Sequence, residues 1–191
     1  AGVDGLILVC AGAGGHAGPL SPMVLIPHLK EHLRIPVIAA GGIATGKQVL
    51  AALALGADAV QIGTRFIAST EASVAQEYKD AILKAEPEDI VLTKRISGTP
   101  AAVINTPFVQ KMGYELPWWE SMLRKHPLSA KYIKLLRYMR GTKSLETAAQ
   151  KVTWKTVWSA GQGVGLIHDI KPTAEIMKQL VREYWEARNA L

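Results

Sequence analysis

The sequence predicts an α/β fold built from repeated parallel βα units. Three apolar runs in the first third of the chain each end in a glycine loop, and helix signals follow each loop. Continuous apolar runs are typical of strands that are buried on both faces of a parallel sheet. Parallel strands end at the same edge of their sheet, so we expect the three loops to lie together and to bind a ligand there.

The first unit begins with the apolar run from Gly2 to Val9, which predicts a strand. The loop after it, Ala11 to Gly18, has the sequence AGAGGHAG. Ser21 and Pro22 then supply an N-cap and a first-turn proline for a helix. The loop fits the loose G-x-G-x-x-A fingerprint of dinucleotide sites, but the helix begins too late and no acidic residue ends the next strand. A Rossmann site is therefore disfavoured.

The second and third units share one βαβ pattern. Ile35 to Ala40 and Ala57 to Ile62 are apolar runs that predict neighbouring parallel strands. Between them Thr45 can cap a helix, and Gly56 supplies a left-handed stop. A third helix is predicted from about Thr70 to Ala85.

Each strand of this pair ends in small residues, Gly41-Gly42 and Gly63-Thr64. Adjacent loops without bulky side chains expose backbone N–H groups, which are suited to bind a phosphate group. The sequence therefore predicts a phosphate site formed by main-chain amides.

His16 is the only ionisable side chain in the AGAGGHAG loop. An imidazole can accept a proton near neutral pH, and the flanking glycines would let a ligand approach it. We therefore expect His16 to be a catalytic base; the alternative is a loop histidine that bonds a backbone carbonyl.

The rest of the chain predicts two further parts. Ile90 to Trp158 is expected to form a smaller, mainly helical subdomain that covers the carboxyl face as a lid, with domain boundaries at 1–89, 90–158 and 159–191. Ser159 to Gly165 is a glycine loop, and Pro172 to Asn189 predicts an amphipathic helix that packs back on the barrel-like part. Its inward face is expected to carry Ile176, Leu180, Val181, Tyr184 and Trp185.

Composition limits the classes of partner. The net charge of +6 permits an anionic ligand, but no basic run with interleaved aromatic residues predicts nucleic-acid binding. Cys10 is the only cysteine, which excludes an intrachain disulfide and favours a cytoplasmic protein; we expect it to be a small buried residue. No segment reaches the ~18 apolar residues of a membrane span. The oligomeric state stays open.

The remaining histidines and the tryptophans suggest structure rather than chemistry. His28 and His32 have the i, i+4 spacing of a helical metal site, but no H-E-x-x-H pattern or third ligand is evident in the sequence, so we expect a solvated helix face and no metal. Core or interface packing is expected for the tryptophans, Trp118, Trp119, Trp154, Trp158 and Trp185.

The segments AGAGGHAG, IPVIAAGGIATG and ADAVQIGTRFIAST together resemble the carboxyl-terminal half of a flavin-dependent TIM (β/α)8 barrel of the nitronate monooxygenase family, formerly called 2-nitropropane dioxygenases. Their order, spacing and strand-end placement match, and the resemblance extends more loosely to the end of the chain. It implies that FMN lies across the carboxyl face and that His16 faces the substrate. The implied cofactor-binding residues are Gly14, Gly15, Gly41, Gly42, Gln61, Gly63 and Thr64.

The resemblance implies an oxidoreductase that oxidises alkyl nitronates or nitroalkanes with O2 to a carbonyl compound and nitrite. The related FMN-dependent enoyl-acyl-carrier-protein reductase is the first alternative, and a noncatalytic phosphate-ligand module or an inactive fragment is the second. A full barrel takes ~250 residues, so we expect this chain to be a piece of a longer protein, or a half-barrel that another chain completes.

Overall fold

A computed structural model of the chain describes residues 2–118 and 157–191. The strands are β1 (Leu6–Val9), β2 (Gly15–His16), β3 (Val37–Ala40), β4 (Ala59–Gln61), β5 (Ile90–Thr93) and β6 (Ala101–Ile104). The α-helices are α1 (Pro22–Lys30), α2 (Gly46–Ala54), α3 (Thr64–Ile67), α4 (Gln76–Lys84), α5 (Pro107–Met112) and α6 (Thr173–Asn189). Short 3-10 turns span Pro87–Asp89 and Gln162–Leu166.

The predicted parallel units are confirmed. Strands β1, β3 and β4 form one sheet in that order, and both pairs are parallel. The face of the sheet that carries Leu8 packs under α1 and α2, whereas Ile7 and Val9 on the other face are exposed by 52% and 41%. Burial on both faces, which the continuous apolar run predicts, is therefore wrong for β1 in the described part of the chain. Each strand is shorter than its apolar run. Pairing of β1, for example, begins only where the Leu6 amide donates to the carbonyl of Pro36 at 2.9 Å.

The predicted helix signals act as expected. The Ser21 side chain accepts the amide of Met23 at the start of α1. Thr45 caps α2 in a capping box with Gln48, because each side chain bonds the other residue's backbone. Gly56 follows the end of α2 with a φ of +104°, the left-handed conformation that glycine adopts without strain.

The helix predicted from Thr70 to Ala85 is wrong in its first part. A short helix, α3, follows Gly63 directly, and α4 begins only at Gln76. The segment between them is held by the C-terminal part of the chain: the Thr70 amide donates to the carbonyl of Lys171 at 3.1 Å. The buried Lys79 ammonium also donates to the carbonyl of Ser69 at 2.6 Å. These tertiary contacts override the local helix pattern.

A second, antiparallel sheet joins the middle of the chain to the first glycine loop. Its strand order is β2-β6-β5, with Gly15 opposite Ala102 and His16 opposite Ala101. Most of the predicted 90–158 subdomain lies outside the described residues. The domain boundaries therefore stay a prediction, but the described start of this segment reaches the carboxyl end of β1.

Helix α6 packs against α2, as predicted for the C-terminal helix. A Cβ atom at Gly46 would lie 2.2 Å from the carbonyl oxygen of Leu180, so only glycine permits this approach. The inward face predicted for α6 is wider than the face that the structure buries. Ile176 and Leu180 are buried, but Val181 is 51% and Trp185 is 48% exposed, because α2 covers one side of the helix only.

The tryptophans also differ in how deeply they are buried. Trp158 is buried and stacks on Tyr78, with ring centroids 5.6 Å apart, so core packing is confirmed there. Trp118 is 75% exposed, and Trp185 is 48% exposed with its ring against the Arg188 guanidinium, so neither is a core residue. Interface packing, the alternative for these two residues, stays a prediction. Trp119 and Trp154 lie outside the described residues.

Candidate active site at the carboxyl edge of the parallel sheet

A cavity of about 270 Å³ lies where the parallel strands end. It is lined by the loops after β1, β3 and β4 together with the glycine loop that follows Trp158. All sequence-predicted site residues except Gly15 line it: Gly14, His16, Gly41, Gly42, Gln61, Gly63 and Thr64. Gly15 instead lies in β2, opposite Ala102. The structure therefore brings three separate loops to one concave site.

Two of these glycines are needed for packing of the loops. A Cβ atom at Gly14 would lie 2.9 Å from the backbone of both Ala160 and Gly161. At Gly41, which has a φ of +118°, it would lie 3.0 Å from the backbone of Cys10 and from Ala13. Both are too close for a side chain, so these glycines hold the walls of the cavity together.

Gly42 and Gly63 differ from them because nothing lies within 4 Å of a Cβ atom at either position. Gly42 has a φ of +71°, whereas Gly63 has a φ of −106° and could carry a side chain without backbone strain. Both glycines therefore leave open space in the cavity at the point where their backbone could meet a ligand.

Some backbone amides at this cavity already have a hydrogen-bond acceptor, and others do not. Gln48 fixes the loop after β3: its Oε1 accepts the amides of Ala44 and Thr45, and its Nε2 donates to the carbonyl of Gly42 at 2.6 Å. Within residues 2–118 and 157–191, however, the amides of Gly42, Ile43 and Gly63 have no hydrogen-bond acceptor. Such open donors are suited to an anionic group.

Two of the three amides in the first turn of helix α2 already have acceptors. The amide of Gly46 donates to Glu183 Oε2 at 2.8 Å, and Thr45 caps the amide of Gln48. Neither of these two donor residues lines the cavity, whereas Gly42, Ile43 and Gly63 in the loops do.

His16 is exposed at the cavity and is held from one side. Its Nε2 lies 2.6 Å from the hydroxyl oxygen of Ser97, which in turn lies 2.9 Å from the hydroxyl oxygen of Thr99. Ser97 is only 4% exposed. Among the described residues Nδ1 has no hydrogen-bond partner, so it is the ring nitrogen that can meet a ligand.

Sequence reasoning missed Ser97 as a partner of His16, because the two residues are far apart in the chain and no local motif joins them. It also did not assign the loop after Trp158 to the cavity wall. There the amide of Gly161 donates to Thr64 Oγ1 at 3.1 Å, and the amide of Gln162 donates to the carbonyl of Gly12. The SAGQG sequence was the available signal, since glycines permit this close approach.

Two other polar groups near the site have structural roles. Burial raises the pKa of the Cys10 thiol, and its sulfur contacts the carbonyl of Leu8; the predicted small buried residue is confirmed. Partial burial would raise the pKa of Asp169, but hydrogen bonds and charges from Lys171 and Arg65 outweigh it and hold the pKa below its usual value. The buried Arg65 guanidinium lies 2.6 Å from Asp169, so this ion pair joins α3 to the segment before α6.

Comparison with known proteins identifies relatives along the whole chain. The model of the nitronate monooxygenase family matches residues 1–183. A probable nitronate monooxygenase from Staphylococcus saprophyticus is 32% identical over 200 residues, which cover 99% of this chain and 53% of the relative. A probable nitronate monooxygenase from Staphylococcus aureus is 40% identical over 122 residues, 59% of this chain and 34% of the relative.

Solved structures also match almost the whole chain. FabK from Thermotoga maritima superposes with a TM-score of 0.79 at 37% identity, over 99% of this chain and 57% of that one. Nitroalkane oxidase from Streptomyces ansochromogenes superposes with a TM-score of 0.75 at 28% identity, over 99% and 54%. The chain therefore spans about half the length of the proteins that it matches, and its parallel units are those of a TIM barrel. Among the described residues, no helix is both long and apolar enough to cross a membrane.

Proposed function

The chain belongs to the nitronate monooxygenase family, and from that premise we propose that its cavity holds FMN in an oxidoreductase that converts alkyl nitronates and O2 to a carbonyl compound and nitrite. The observation that carries this proposal is the meeting of two open glycine turns and His16 in one cavity. The turns can bind a phosphate group, and the histidine can handle a proton beside it.

The residues fit the phosphate end of such a cofactor. The amides of Gly42, Ile43 and Gly63 would donate to its oxygens, and the absence of side chains at the two glycines would let the backbone come close. Hydrogen bonds to a charged acceptor are stronger than neutral ones. When bound, FMN would supply the redox chemistry, accepting electrons from the substrate and passing them to O2.

His16 would supply the proton chemistry. A base that takes a proton from a neutral nitroalkane to form the nitronate needs a lone pair that faces the substrate, and of the two ring nitrogens only Nδ1 is without a partner among the described residues. Nε2 would then carry the proton and donate to Ser97, whose hydroxyl would donate to Thr99 Oγ1. Ser97 would thus hold the ring in one tautomer and one orientation, which is a positioning role.

The test is made on purified protein with FMN added. We expect O2 uptake with an alkyl nitronate, together with release of nitrite. NAD(P)H oxidation with an enoyl thioester and no reaction with the nitronate would instead favour the enoyl reductase alternative. Binding of FMN without either reaction would favour the phosphate-ligand module.

A further inference from the structure

A cluster of three metal-ligating side chains lies away from the cavity, at the end of α1. His28, Glu31 and His32 are all exposed, and their candidate ligand atoms lie within 4.8 Å of one another. His28 and His32 are one helical turn apart, with ring centroids separated by 5.4 Å. Helix α1 ends at Lys30, and Glu31 follows it as a C-cap residue that keeps the α-helical backbone conformation. Glu31 therefore lies close to the two histidines and adds a third ligand, which the i, i+4 spacing of the histidines alone did not reveal.

A hydrogen bond orients one of the rings for coordination. His32 Nδ1 lies 3.0 Å from the carbonyl oxygen of His28. A carbonyl oxygen can only accept, so Nδ1 carries the proton and the lone pair of the neutral ring resides on Nε2. Histidines that bind metals commonly donate their other N–H to a backbone carbonyl, which fixes tautomer and ring orientation. This contact therefore leaves Nε2 of His32 as the ring atom that could coordinate an ion.

The distances are within reach of a metal ion. Bonds of about 2.1 Å in tetrahedral geometry separate two ligand atoms by about 3.4 Å, so rotation of the exposed His28 and Glu31 side chains toward His32 would close the gap. The last turn of a helix favours cations. The neighbouring positive charge of Lys30 is paired with Asp58, at 2.9 Å.

We propose that His28, Glu31 and His32 bind one divalent transition-metal ion, Zn²⁺ or a related ion of the same ligand preference. Two imidazoles and one carboxylate match these ions, whereas Mg²⁺ and Ca²⁺ prefer oxygen ligands. Water completes the coordination because the site is open. The site is separate from the proposed cofactor cavity, since none of its three residues lines that cavity.

The ion would also stabilise the end of α1. Pro27 lies inside this helix and has no amide to donate, which weakens the hydrogen-bonding of its last turns. The three ligands are brought together only when the helix is formed, so an ion that binds them favours the folded state.

The test is calorimetric titration of the metal-free protein with Zn²⁺. We expect saturable binding at one site per chain. His28→Ala and His32→Ala should each weaken it by at least about 10-fold, because even loss of an outer-shell partner commonly costs 10- to 100-fold. His168→Ala is the matched control, since His168 is exposed and lies outside the cluster; it should leave the affinity unchanged.

Thermal unfolding supplies a second readout that does not depend on flavin or on activity. Zn²⁺ should raise the unfolding midpoint of the wild-type protein and of His168→Ala, but not that of His28→Ala. Zn²⁺ binding that survives both His28→Ala and His32→Ala, or a wild-type protein without saturable binding, would overturn the proposal.

Discussion

At the scale of single residues, the glycines of the strand-end loops have different roles although they occupy similar places in the sequence. Gly14 and Gly41 are packed against backbone, whereas Gly42 and Gly63 face open space. Gly42 still has a left-handed φ of +71°, so Gly63 is the one of these four that has neither a close neighbour nor a backbone conformation that requires glycine. Gly63 is the better probe of the two, because its φ of −106° permits any side chain.

We expect Gly63→Val to lose FMN binding while the far-UV circular dichroism stays nearly unchanged, because the valine methyl groups would occupy the space in front of the open amides. Gly63→Ala should give an intermediate loss. Ala75→Val, a comparable change at the start of α4 outside the cavity, is the control. Unchanged flavin content in Gly63→Val would rule out this phosphate site.

We expect His16→Asn to keep FMN but to lose about 10²- to 10⁴-fold in rate on a neutral nitroalkane, the scale of a positioned general base. A preformed nitronate has already lost its proton, so its turnover should fall much less. Ser97→Ala should lower kcat on the nitroalkane with a smaller change in KM, because it frees the ring without removing it. Equal losses on nitroalkane and nitronate in His16→Asn would contradict a role as base.

At the scale of elements, much of the carboxyl edge could be predicted from local signals. Apolar runs indicated the strands, and Ser21, Thr45 and Gly56 indicated where helices begin and end. The pairing of His16 with Ala101 and its contact with Ser97 could not be predicted, because they join distant segments through a strand of two residues. The false start of the third helix has the same origin, since contacts with Lys171 hold that segment.

Helix α2 depends on α6 for its position, and this contact can be tested. Gly46→Ala should lower the free energy of unfolding by about 1–3 kcal/mol, because the new methyl group would overlap the carbonyl of Leu180. Helix propensity alone predicts that Gly46→Ala raises the free energy of unfolding by up to about 1 kcal/mol, so the steric overlap and the helix propensity act in opposite directions. Denaturant unfolding measures the difference, with the exposed neighbour change Lys47→Ala as the control. A stabilised Gly46→Ala variant would show that the helices do not pack this closely.

The Asp169 ion pairs make a pH-dependent contribution. The pKa of Asp169 is lower in the folded protein than its usual value of 3.8, so its charge stabilises the fold above that pH. The contribution is lost as the pH falls through the folded pKa. We therefore expect Asp169→Asn to be less stable than wild type at pH 7, with a difference that shrinks toward pH 3. A difference that is constant with pH would exclude the ion pairs as its cause.

At the scale of the whole molecule, one cavity unites residues from Val9 to Ile167. The parallel sheet supplies two open turns, the antiparallel sheet holds His16, and the loop after Trp158 closes the wall. The chain spans about half the length of its relatives, yet the proposed phosphate-binding turns and the proposed base all lie within it.

The most direct measurement compares the binding of FMN with that of riboflavin, which lacks the phosphate group. Open amides that bind a phosphate predict that FMN binds about 10- to 100-fold more tightly in a fluorescence titration of the wild-type protein, since hydrogen bonds to a charged group contribute about 1.5–3 kcal/mol. In Gly63→Val this preference should disappear. Equal affinities for FMN and riboflavin in the wild-type protein would contradict the central claim that the glycine turns form a phosphate site.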